Sequence, residues 1–153
     1  NGIEILKVMQ RLLSFIYLRA SLLPLLDPLL EEPNEKTVTE FDWTRMHDNL
    51  LTKIGNNDPF PVIVSVGDPS DGLYTGSISE YLTDIYQDLK DFVVSYKSGQ
   101  EDVMNDAVWE VLMNFEEFWG KKLLNVLSAI HTVLYSEADG NVENDQKDDD
   151  ETV

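Results

Sequence analysis

From Ser77 to Phe92 the chain reads SISEYLTDIYQDLKDF, and its large apolar residues recur at the period of a helix, not of a strand. At about 100° per residue, Ile78, Leu82, Ile85, Leu89, Phe92 and Tyr96 fall within an arc of about 80°, while Glu80, Asp84, Asp88 and Asp91 centre about 130° away. Such a segment has one dry face and one wet face, and it is stable only when other elements cover the dry one. The four acids therefore read as an ordinary solvated face. Asp102, Asp106 and Glu110 form a second row of the same kind, on the far side of their helix from Val103, Ala107, Val108, Val111 and Phe115.

Punctuation divides the rest of the chain into similar pieces. Ile3 to Leu23 reads as a first helix whose polar residues, Glu4, Lys7, Gln10, Arg11, Ser14 and Ser21, keep to a narrow stripe, which predicts a helix deep in a bundle. Pro24 and Pro28 end it, and EEPNEK is a turn-rich linker. Thr39 is the expected N-cap of a second helix over Glu40 to Ile54, with Glu40 and Asp42 in its first turn and Gly55 closing it. A third helix is expected from about Ser79 to Lys97, stopped by Ser98-Gly99, and a fourth begins near Glu101. Between the second and third lies NNDPFPVIVSVGDPSDGLYTG, without helical pattern; its β-branched centre favours an extended segment packed on the helices, with a short strand or hairpin as the alternative.

The expected fold is thus all-α, a single-domain bundle of about five helices over residues 1–136 with one long extended loop. Residues 137–153, EADGNVENDQKDDDETV, are expected to be a disordered acidic tail. They carry eight acids and one lysine with no aromatic or large apolar run, too little apolar surface to offset the entropy of ordering.

Charge and cysteine content narrow the function classes. With 29 acids against 11 lysines and arginines, the net charge is −18, which repels nucleic-acid phosphates and anionic headgroups. The chain has no cysteine, so thiolate nucleophiles, cysteine-held metals and disulfides are excluded, in keeping with a cytoplasmic location. LLSFIYLRASLLPLLDPLL is interrupted by Arg19, Pro24, Asp27 and Pro28 and falls short of the roughly 20 apolar residues needed to span a bilayer. It also lacks the clean cleavage site of a signal peptide. The start at Asn1, without methionine, points to processing or trimming.

No catalytic motif is complete. Di-iron bundles need Glu-x-x-His pairs, but Thr44 precedes His47 and Ser128 precedes His131. A helical nucleotide pyrophosphatase needs Glu-Glu-x-x-Glu, whereas Glu116-Glu117 is followed at the third position by Gly120. There is no Gly-x-Ser-x-Gly elbow and no glycine-rich phosphate loop. His131, among Leu124, Leu127, Ile130 and Leu134, reads as a hydrogen-bonded core histidine, and His47 as exposed. No cofactor is expected. A metal site would have to come from the two acidic faces meeting across a groove, through Glu80, Asp84, Asp102 and Asp106.

Three residues stand out as candidate binding groups. Arg19 lies on the apolar side of the first helix, where it is expected to be partly buried and paired with a carboxylate, Asp27, Glu31 or an acid of the third helix, solvation being the alternative. Trp109, with Met113 one turn later, sits about 140° from the main apolar stripe of its helix. Either that helix packs on two sides or the pair is an exposed anchor for a partner. The apolar stripe also swings by about 130° after Gly120, which predicts a kink near Trp119-Gly120.

Three blocks, ASLLPLLD, SISEYLTDIYQDLKDF and MNDAVWEVLMNFEEFWGKKLLNVLSAIH, resemble successive parts of a bacterial domain of unknown function, the family numbered 5063, over roughly Leu12 to Tyr135. The resemblance implies a small all-helical cytoplasmic domain with more residues ahead of the first helix, and it supplies no activity. Two function classes follow: a non-enzymatic interaction or regulatory domain whose partner is another protein, and, as the alternative, a metal-dependent hydrolase of a phosphate ester or nucleotide using the paired acidic faces.

Overall fold

The structure, a computed structural model, describes residues 1–63 and 72–136. The expected acidic tail lies outside the described residues. The elements in chain order are α1 (Gly2–Ser21), α2 (Glu40–Ile54), β1 (Pro59–Ile63), β2 (Leu73–Ser77), α3 (Ile78–Tyr96), α4 (Glu101–Asn114) and α5 (Gly120–Tyr135). The chain is mostly helical, as its periodicity requires.

Local chemistry sets the helix ends. Thr39 and Asp42 form a reciprocal capping box at the start of α2, each side chain accepting from the other's backbone N–H, and Gly55 ends the helix at φ +60°, a conformation that favours glycine. At the start of α3, the Ser77 hydroxyl accepts from the Glu80 N–H at 3.1 Å. The buried Asp58 carboxylate accepts from the Ser79 N–H at 2.7 Å, satisfying a second free donor and placing negative charge at the helix N-terminus.

The expected extended segment is an antiparallel ribbon, in which Pro59 pairs with Ser77 and Ile63 with Leu73. Its strands pair with each other because the chain doubles back, and Val62 anchors it in the core. Where a kink or break was expected, a π-helical segment, Phe115–Trp119, joins α4 to α5. It re-aims the apolar stripe, so that Val111 upstream and Leu123, Val126 and Ile130 downstream all point into the core. A Cβ on Gly120 would lie 2.4 Å from the Phe115 carbonyl oxygen, so only glycine fits where the turn closes.

The irregular segment between α1 and α2 is a strap laid over α3 and α4, and the acids of those helices hold it. Asp106 accepts from the Leu29 and Leu30 N–H groups at 2.7 and 2.9 Å. Asp91 accepts from the Thr37 N–H and hydroxyl and from the Val38 N–H at 2.8 to 3.0 Å. Asn105 and Asn34 add bonds to the Asp27 and Val103 carbonyls, and Lys36 pairs with Glu110. Asp91 and Asp106, read from the sequence as wet-face acids, are buried at 6% and 5% exposure. The strap turns the outward faces of both helices into an interior.

Helix α1 corrects the sequence reading in the opposite sense. Only Leu6, Leu13 and Ala20 are buried, while Val8, Leu12, Phe15, Leu18 and Leu22 are 42–68% exposed. α1 packs mainly on α5 and more lightly on α2, which leaves much of its apolar surface uncovered.

Candidate functional site

α1 and α3 both pack on the joined helices α4 and α5 or their neighbours, yet they scarcely touch each other. The space between them is an apolar groove made of two adjoining clefts of about 340 and 450 Å³ that share Ile16 and Leu89. Low-numbered residues of α1 face low-numbered residues of α3, so the two walls run in the same direction. Met46 and Leu50 of α2 close one end, Leu22 to Pro24 bound the other, and Val111 and Trp119 lie beneath. Trp119 is fixed there: its indole N–H donates to the Val111 carbonyl at 3.1 Å, and Phe115 packs on its ring at 4.8 Å between centroids.

The groove's charge is unlike the rest of the chain. No acidic side chain lines either cleft, although acids outnumber bases in the sequence 29 to 11. Lys90 lines the first cleft and Arg19 the second, and neither has an ion pair among the described residues. Arg19 is exposed, not partly buried, and among the described residues it has no carboxylate partner. The strap carries Asp27 and Glu31 away over α4, so they do not reach it.

The acids proposed as a metal set are not brought together. Glu80 is exposed in the first turn of α3, and Asp102 is exposed at the start of α4, where it accepts from the Val103 N–H. Asp84 accepts from the Trp43 indole N–H at 2.9 Å and pairs with Lys122, tying α3 to α2 and α5. Asp106 is occupied by the strap; burial opposes its ionisation, but the Leu29 N–H, the Asn105 amide and the Leu30 N–H together hold its carboxyl below the usual range. Burial pushes the neighbouring Asp88 carboxyl up, against the opposing pull of Lys36. Among the described residues no group of three or more acids or histidines is arranged to hold a metal ion. Asp84→Asn is expected to cost about 1–2 kcal/mol, because the amide oxygen can keep the Trp43 bond but the ion pair with Lys122 is lost. Thermal melts should show no Mn²⁺-dependent shift of the midpoint in either form.

Trp109 and Met113 are half-buried, on the face of α4 where the strap is bonded through Asn105 and Asp106. The second apolar face belongs to a two-sided helix, and the anchor reading loses the exposure it required. His131 is exposed beside Tyr135, because the core face of α5 runs through Leu123, Val126 and Ile130 instead. His47 is half-buried, stacked on Trp43 at 5.0 Å and bonded to Asp48. The sequence reading did not find the groove. Its signal was the width of apolar surface on α1, more than the α5 side alone can cover.

Fold and groove define a mostly helical domain with an open apolar slot, and no described helix is long and apolar enough to cross a membrane. The chain belongs to the family described as a domain of unknown function, DUF5063, whose model matches residues 3–136. It is similar to the crystal structure of protein BF1032 from Bacteroides fragilis at 32% identity and a TM-score of 0.78, over 89% of this chain and 79% of that one. No curated protein matches it.

Proposed function

We propose that this domain is a non-enzymatic interaction module of the bacterial cytoplasm that docks a segment of another protein in the groove between α1 and α3. The observation that carries this is a slot walled by two helices that scarcely touch, with Leu12, Phe15, Leu22 and Val93 exposed along its rim. Contiguous exposed apolar surface of this kind marks interaction sites. The absence of cysteine suits a reducing compartment. The hydrolase reading has less support, since Asp84 and Asp106 spend their oxygens on Trp43, Lys122 and the strap.

Site-resolved photo-crosslinking in cells tests the proposal. A benzophenone side chain at Leu12 or Val93 should capture one discrete partner, whereas the same group at Thr75 or Thr132, away from the groove, should not. Equal capture at all four positions would overturn it.

A further inference from the structure

Resting on that reading, we infer that the groove's occupant is an amphipathic helix with acidic side chains along the edges of its apolar stripe. Length and shape come first. From Met9 to Ala20 the α1 wall runs about 17 Å at the helical rise, which matches about three turns of a bound helix. Two walls running in the same direction, with a gap between them and an apolar floor below, suit the helix-in-groove mode, in which an apolar face is laid into a hydrophobic slot. Met9 and Met46 supply adaptable side chains within it.

Charge selects the edges of the occupant. Among the described residues the lining holds no acid and two cations without ion-pair partners, Arg19 by the second cleft and Lys90 by the first. Lys90 also lines the neighbouring cleft over Met46 and Tyr86, where Arg45 stands beside Asp42. Carboxylates on the occupant would meet Arg19 and Lys90 at the rim, where a basic helix would meet like charge. The net charge of −18 opposes an acidic ligand at long range. At physiological salt the screening length is about 8 Å, so the local cations outweigh remote acids once the helix is seated.

Two synthetic 16-residue peptides with the same leucine stripe, one edged with glutamate and one with lysine, separate the possibilities by fluorescence anisotropy against the full chain at physiological ionic strength. The glutamate-edged peptide is expected to bind at least tenfold tighter. The double change Arg19→Glu with Lys90→Glu should reverse that order without moving the melting midpoint, since both side chains are exposed. Equal binding of the two peptides, tighter binding of the lysine-edged one, or indifference to the double change would each overturn the acidic-helix inference. A stable dimer in sedimentation that blocks the peptide would assign the groove to a second copy and overturn it as well. Failure of both peptides overturns the inference alone; the groove reading then stands or falls on the rim-specific crosslinks.

Discussion

Trp119→Ala is expected to lower the unfolding free energy by about 3–5 kcal/mol, the range for removing a large aromatic side chain from a packed interior. The indole is 1% exposed, and its loss opens a cavity between Val111, Phe115 and the underside of the groove and removes the indole donor from the Val111 carbonyl, which keeps the Phe115 N–H. Domains of this size are stable by about 5–15 kcal/mol, so one change removes a large share of the total. Urea unfolding followed by circular dichroism measures it. Trp119→Phe should recover part of the loss, because a phenyl ring fills most of the space but donates nothing. A cost below about 1 kcal/mol for the alanine variant would mean that the indole is not the packed centre of the π-helical segment.

Helix ends and the junction before Gly120 were legible because their causes are local. Thr39, Asp42 and Gly55 act within a turn of their own position, and the swing of apolar residues across Gly120 is a pattern along the chain, so α2 and the junction emerge from short windows. The extended segment was legible as extended, but its pairing was not. The cross-strand partners of Pro59 to Ile63 are Leu73 to Ser77, 10 to 18 residues further along the chain, outside any short window.

Glu80 and Asp102 are exposed as a wet face requires, but Asp91 and Asp106 were misread for a different reason. Periodicity reports which face of a helix is polar and says nothing of what lies over it. Asp91 meets Thr37 and Val38, and Asp106 meets Leu29 and Leu30, across separations of 53 to 77 residues. The strap that makes those contacts has no periodicity of its own. For α1 the error ran the other way, since a helix apolar on most sides invites burial, but only packing decides how many sides find a neighbour.

The strap makes Asp106→Asn costly, by about 2–3 kcal/mol, although a solvated-face aspartate would tolerate the change within about 0.5 kcal/mol. Asparagine keeps one carbonyl oxygen, which can accept from only one of the Leu29 and Leu30 N–H groups in the present geometry, and its amide then points a donor at the other. Asp91→Asn is milder, because the Thr37 and Val38 donors all converge on one oxygen, Oδ1, whose place an amide carbonyl can take, and the change removes the charge rather than the acceptor. Because both carboxylates fasten one strap, release at one end weakens what the other holds, and the double variant should cost less than the two single changes added together. The pH dependence carries an independent sign. The folded-state pKa of Asp106 is lowered, so its contribution is present in full above the unfolded value of about 4 and is lost as the pH falls through the folded value. Asp88, raised by burial, works in the opposite sense and gains stability on protonation, but it is common to wild type and variant and cancels in their difference. The stability gap between wild type and Asp106→Asn should therefore be widest near neutral pH and narrow in acid. A gap that stayed constant from pH 7 to pH 3 would show that the carboxylate's charge is not what fastens the strap.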